Sequence, residues 1–235
     1  YNNDKVDELV KNSPLHEAIL GMVIQHHPAP HVAQKYRIPK IWKGDLDSEI
    51  GKALINCDEN GPAVMMIVNI NIDPHAGSVA TGRLFSGTLK DGDSVNGERV
   101  SGILKMCGME TEKISEAVEG DIVALGRLGS VSTGDTLSGE EGIESLPVAE
   151  KLPPVYGLNI TPGRREDEVK ISEAVNRMLE EDTSLRVEHN QDTNETILWG
   201  QGELHLQLAV DRIQNRSKIA KIASEGANIF GTKKS

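Results

Sequence analysis

Leu15, Ala18, Ile19, Met22 and Val23 recur at the three-and-four spacing that lines one side of a helix. Ser13 precedes them as a candidate N-cap and Pro14 takes the first helical position, where a missing N–H costs nothing. The stripe stops at His26, His27 and Pro28, because proline turns the residue before it away from the helical region. A helix with one apolar side wants a partner. The pattern then changes period. Residues 64–72 form a continuous apolar, β-branched run, 73–77 turn, and 82–89 supply a second strand that ends at Lys90, Asp91, Gly92 and Asp93. Asn96-Gly97 tolerates the positive φ values of a tight hairpin, short strands are expected at 99–104 and 121–125, and Gly134-Asp135-Thr136-Leu137 closes the region. Short strands joined by glycine-rich turns between about 60 and 138 predict a small antiparallel β-barrel.

Pro147, Pro153 and Pro154 mark a linker, and beyond them the period changes again. Tyr156, Leu158 and Ile160 alternate as a strand; Ile171, Ala174, Val175, Met178 and Leu179 form a helical stripe; Leu185 and Val187 alternate. A turn at 192–195, a strand at 196–199 and a second stripe of Leu206, Ala209, Val210 and Ile213 follow. The order β-α-β-β-α predicts a ferredoxin-like split βαβ unit whose last strand could only be residues 227–230. The expected class is α+β: residues 1–44 carry a helix and linker, 45–141 the β-barrel, 142–154 a linker, 155–213 the ferredoxin-like domain, and 214–235 a basic tail.

Composition narrows the functions. Thirty-six acids against 25 bases give the 235 residues a net charge of −11, so any contact with nucleic acid must be local rather than a property of the whole surface. Cys57 and Cys107 lie far apart without a CxxC, which excludes a disulfide scaffold and a zinc knuckle and reads as reduced cytoplasmic thiols. No apolar run reaches the length of a membrane span, and no charged-then-apolar leader opens the chain. A soluble, cytoplasmic protein is expected, and a start at Tyr1 reads as an excised piece.

Catalytic constellations are hard to find. No GxxxxGK[ST] loop, GxSxG elbow or HExxH occurs in the sequence. His26, His27 and His31 could suggest a metal, but Pro28 and Pro30 break the helix that would align them. Glu203 and His205 resemble an acid/base pair, yet residues two apart on a helix point to different sides, so a helix-start acid and a packed histidine are the simpler reading. Glu180, Glu181 and Asp182 read as a solvated helix end. Gly200, Gln201 and Gly202 sit between strand and helix, where backbone N–H groups could cradle an anion or glycine could serve a tight turn. Lys35, Arg37, Lys40 and Lys43 around Tyr36 and Trp42, and Arg212, Arg216, Lys218, Lys221, Lys233 and Lys234 near the end, could grip phosphate or simply be solvated.

Several strings carry a resemblance. Ala33-Gln34-Lys35-Tyr36-Arg37-Ile38-Pro39 with Trp42 and Gly44, then Cys57-Asp58, Gly61, His75-Ala76-Gly77 and Ala80-Thr81-Gly82-Arg83-Leu84-Phe85-Ser86-Gly87, resemble archaeal and eukaryotic elongation factor two. From about Arg99 the resemblance shifts: Gly120-Asp121-Ile122-Val123-Ala124-Leu125, Gly134-Asp135-Thr136-Leu137, Glu180-Glu181-Asp182 and Thr196-Ile197-Leu198-Trp199-Gly200-Gln201-Gly202-Glu203-Leu204-His205-Leu206 are similar to bacterial elongation factor G and its paralogues.

The resemblance implies that residues 15–27 are the trailing helix of a GTPase domain, 45–140 the second-domain barrel and 155–213 the third domain, with the usual continuation missing after Ile213. It implies central, non-catalytic domains of a ribosomal translocation factor that dock on small-subunit RNA and protein, pack on the GTPase domain of the same parent protein, and need neither membrane nor DNA. This chain would hold no cofactor and no metal; GTP and magnesium would belong to the parent. Arg83, Ser86, Gly200, Gln201, Gly202, Glu203 and His205 are then the expected ribosome-contact positions. Alternatives are a stand-alone ribosome-binding module, a ribosome recycling or protection factor, and a small hydrolase using Glu203 and His205.

Overall fold

The computed structural model describes residues 6–12, 14–73, 77–108, 110–129, 131–148, 150–190, 195–217 and 222–226. The expected N-cap Ser13, most of the turns at 73–77 and 192–195, and the strand expected at 227–230 lie outside them. Four helices open the chain: α1 (Val6–Asn12), α2 (Leu15–His26), α3 (Pro30–Ile41) and α4 (Glu49–Asn56).

Helix α3 occupies a stretch that reads as a loop in the sequence. Pro30 stands at its first turn, where proline starts a helix rather than breaking it, and Pro39 is accommodated near its end. Only Ala33, Gln34 and Ile38 of its residues are buried, too few and too polar to draw an apolar stripe. Gln34 is 2% exposed and donates its side-chain amide to the carbonyls of Leu54 and Phe85, so a polar residue pins the helix where an apolar one would be expected. Helix α4 is capped by Ser48, whose hydroxyl accepts the Gly51 N–H at 3.0 Å, and ends at Cys57 in the left-handed conformation.

The β-rich domain follows: β1 (Val64–Asp73), β2 (Gly77–Ser86), β3 (Leu89–Lys90), β4 (Ser94–Val95), β5 (Glu98–Arg99), β6 (Ile103–Cys107), β7 (Glu110–Ile114), β8 (Glu116–Ala117), β9 (Ile122–Gly126) and β10 (Thr136–Ser138). Six strands form one antiparallel sheet in the order β10-β1-β2-β9-β6-β7, with β3-β8 and β4-β5 as short ribbons. Met65, Ile67, Leu84, Ile103, Leu125 and Leu137 are among the buried side chains of its core.

Across the proline-rich segment lies an α+β unit: β11 (Tyr156–Pro162), a single turn of 3₁₀ helix (Arg165–Asp167), α5 (Glu168–Glu181), β12 (Arg186–Asn190), β13 (Glu195–Gly200), α6 (Glu203–Ser217) and β14 (Ile222–Gly226). The sheet order is β12-β13-β11-β14, antiparallel throughout. Ile171, Val175 and Met178 of α5 and Leu206, Ala209, Val210 and Ile213 of α6 pack with Leu158, Ile160 and Leu198 into its core. Here the structure corrects the sequence reading. Helix α6 runs on to Ser217, and the fourth strand comes at once, pairing Pro162 with Ile222 and Leu158 with Gly226. Its segment, Ile-Ala-Ser-Glu-Gly, has one large apolar residue and no readable alternation.

The segment expected to be a linker from Gly142 is held at its start. Leu146 is buried with Ile38, Trp42, Leu54 and Val64, the Trp42 indole N–H donates to the Glu144 carbonyl at 2.8 Å, and the Leu146 N–H donates to the Thr136 hydroxyl at 2.8 Å. Beyond it Val148, Leu152 and Val155 are exposed. Between the two domains, a protease of broad specificity such as proteinase K under limiting conditions should therefore cut first around the exposed Lys151 and Leu152, with 142–146 protected; mass spectrometry of the earliest fragments checks this, and early cleavage within 142–146 would contradict it.

Candidate functional site

The turn from β13 into α6 is built from two glycines with different roles. A Cβ on Gly200 would sit 2.6 Å from Leu206 Cδ2 and 2.9 Å from His205 Nδ1, so the first turn of α6 closes directly over this backbone. A Cβ on Gly202 would meet nothing within 4 Å. Gln201 faces inward: its backbone N–H donates to His205 Nδ1 at 3.2 Å, and its side-chain amide donates to the carbonyls of Leu152 at 3.2 Å and Pro153 at 3.4 Å. The Val155 N–H reaches the Gly200 carbonyl at 2.9 Å, so the turn anchors the incoming segment.

His205 is committed at both ring nitrogens. Because Nδ1 accepts from Gln201, the fitting neutral tautomer carries its proton on Nε2, which donates to Asp182 Oδ2 at 2.9 Å. Glu203 instead accepts from the Gln207 side-chain amide at 3.1 Å. The two do not form an acid/base pair. What points outward is Gly202, Glu203 and the large side chains Leu204, 70% exposed, and Leu208, 50% exposed one helical turn on. Periodicity could have flagged that i, i+4 leucine pair outside the buried stripe.

The acidic run at the end of α5 is not a uniformly solvated face. Glu180 is exposed, but Glu181 is drawn between Arg216 and the barrel, and Asp182 is the residue that receives His205. Asp182 also accepts the Ser184 N–H at 2.9 Å and the Ser184 hydroxyl. Burial alone would raise its pKa, but the Ser184 hydroxyl, His205 and the Ser184 N–H together outweigh burial and hold the carboxyl below its ordinary value.

Arg83 and Ser86 lie on β2, away from this turn. The Arg83 guanidinium donates to Gln34 Oε1 at 3.0 Å and lies 4.8 Å from the Phe85 ring centroid, at the seam between α3 and the barrel. Burial lowers its pKa, Cys57 opposes that shift and Arg37 adds to it. Ser86 is fully buried and donates its hydroxyl to the Pro62 carbonyl at 2.8 Å, so its side chain does not face a partner. In the basic-aromatic cluster, Lys35, Tyr36, Arg37, Lys40 and Lys43 are exposed, whereas Trp42 belongs to the core. Sequence reasoning passed over Gln34 because a lone glutamine carries no pattern.

Two outcomes follow. Gly200→Ala should cost about 1–3 kcal/mol by forcing apart a packed turn, while Gly202→Ala should stay within about 0.5 kcal/mol, as read by urea unfolding. Because its folded pKa lies below the ordinary carboxylate value of about 3.9, Asp182 contributes stability that is present above that pH and is lost as pH falls through the lower folded pKa. The stability gap between the parent and Asp182→Asn should therefore be widest near neutral pH and shrink on acidification; a gap that grows below about pH 4 would contradict the assignment.

Comparison with known proteins agrees with this architecture. Residues 62–140 match the family model for elongation factor G domain 2, and residues 152–224 match that for elongation factor G, domain III, a match that reaches into the last strand. Elongation factor 2 of Cenarchaeum symbiosum is 45% identical over 232 residues, covering 96% of this chain and 32% of the relative. Elongation factor 2 of Picrophilus torridus is 43% identical over 229 residues, covering 95% of this chain and 31% of its own length. These archaeal relatives align along 95–96% of the chain and the domain III match reaches residue 224, so the break expected after Ile213 is corrected. A crystal structure of a protein from Thermus thermophilus superposes with a TM-score of 0.69 at 27% identity, covering 89% of this chain and 28% of that one. The chain thus spans about a third of the length of the curated relatives it matches, and it belongs to the elongation factor 2 and elongation factor G family as a stretch carrying the second and third domains.

Proposed function

We propose that the chain serves in translation elongation as the central, non-catalytic part of a ribosome-dependent GTPase. In this reading it docks on the small ribosomal subunit in the cytoplasm and passes the nucleotide state between the parent's other domains. The single observation that carries the reading is the presence, in one chain and in order, of the β-rich domain and the split βαβ domain of relatives named elongation factor 2. No described helix is long and apolar enough to cross a membrane.

GTP and magnesium belong, in this reading, to the parent's GTPase domain. The residues present do not fit them: the sequence holds no phosphate-binding GxxxxGK[ST] loop, and among the described residues no group of three His, Cys, Asp or Glu side chains could hold a cation. The apolar side of α2, with Leu15, Ile19, Met22 and Val23 exposed, is the face that would meet that domain.

For ribosome contact the proposal rests on Gly202, Glu203 and Leu204. Gly200, Gln201 and His205 shape the turn from inside, and Arg83 and Ser86 hold the barrel together beneath α3. Docking of this kind depends on local shape and a few side chains, which suits a chain of net charge −11.

Co-sedimentation of the 235-residue chain with small ribosomal subunits tests the proposal. Gly202→Val fills open space and should fold with an unchanged circular dichroism spectrum, yet weaken binding about tenfold, equivalent to roughly 1.4 kcal/mol. Glu180→Gln, on an exposed side chain, should bind as the parent does. Folded Gly202→Val that sediments like the parent would remove the docking role from this turn, and a parent chain that does not sediment would remove the function.

A further inference from the structure

The barrel and the third domain meet along a cleft of about 480 Å³. Its walls include apolar Ile72 of β1, Met178 of α5 and Ile213 of α6, with Lys170, Arg177 and Arg216 around it. Three cations invite an anion, but two are already engaged: Lys170 lies 3.3 Å from Asp167, and Arg216 lies 2.6 Å from Glu181. Glu173 also lines the cleft beside Arg177. The charges are balanced, so the cleft is better explained as a seam between two bodies than as an anion site.

Glu181 is the residue that closes this seam. Lys170, Ala174 and Met178 precede it along one side of α5, the side that faces β1. Its side chain is only 11% exposed, and its two oxygens are divided between the domains. One accepts the backbone N–H of Ile72 in the barrel at 3.0 Å, and the other accepts Arg216 Nη1 at 2.6 Å. The same carboxylate therefore joins the end of α5, the end of α6 and strand β1. A displacement of an ångström or two between the domains would break the Ile72 hydrogen bond, leaving that backbone N–H and one oxygen of a largely buried carboxylate unpaired while Arg216 moves with Glu181, which is costly at both ends of the bond. Such a contact favours one relative orientation and releases it abruptly rather than gradually.

We propose that Glu181 is an orientation latch, a positioning residue that holds the third domain against the barrel in a single arrangement through Ile72 and Arg216. This inference does not depend on ribosome binding.

Spin labels on the exposed native Cys107 of β6 and on Asp211→Cys, at an exposed position of α6, report the distance between the two bodies, the buried Cys57 being spared. In the full chain, pulsed dipolar spectroscopy should give one narrow distance distribution. Glu181→Ala should broaden it at least about twofold, and Glu181→Leu, which keeps the bulk but removes both acceptor oxygens, should broaden it too. Glu180→Gln should leave it narrow. Circular dichroism confirms folding of each variant, and if Glu181→Ala does not fold, Glu181→Leu decides alone. A distribution as narrow and identically centred in the folded variants as in the parent would overturn the latch.

Discussion

Two adjacent carboxylates at the C-terminal end of α5 hold α6 near both of its ends. Successive helical residues diverge by roughly 100°, so Glu181 and Asp182 reach in different directions from neighbouring backbone positions. Asp182 takes His205 in the first turn of α6, and Glu181 takes Arg216 in its last. Acids at a helix C-terminus work against the macrodipole, and each is stabilised here by partners: Ser184 and His205 for Asp182, Arg216 and Ile72 for Glu181. With α6 gripped this way, Leu206, Ala209, Val210 and Ile213 face the core while Leu204 and Leu208 are left outside.

The same restraint defines the turn before α6. Gly200 lets His205 and Leu206 close over the strand end, and Gln201 fastens that corner to the incoming segment at Leu152 and Pro153. The outward surface of the turn is thereby presented by rigid elements on both sides. The docking face proposed here would depend on shape, which a negatively charged chain can still offer to an RNA–protein assembly.

Much of the architecture was legible because it follows from period. The strand at Tyr156 to Ile160, the stripe from Ile171 to Met178 and the stripe from Leu206 to Ile213 all bury regularly spaced apolar residues, and Asn96-Gly97 does fall at a hairpin turn, between β4 and β5. Elements anchored by polar contacts were not legible. Helix α3 is fixed by the Gln34 amide, and β14 is held by backbone pairing with a single large apolar side chain. The site divides in the same way. The glycine turn could be located, but which of its residues face inward depends on Leu152, Pro153 and Asp182, each far from it in sequence. Glu181 read as solvated because its partners, Ile72 and Arg216, come from two distant segments.

Inward contacts at Gly200, Gln201 and His205 leave the outward side of residues 202–208 free, and this is the proposed docking face. Amide hydrogen exchange of the full chain, followed by mass spectrometry with and without small ribosomal subunits, tests it most directly. Added subunits should slow exchange in peptides spanning 202–208, while the buried core strands β2 and β13 stay unchanged. Protection confined to other segments, with 202–208 exchanging as in the free chain, would contradict it.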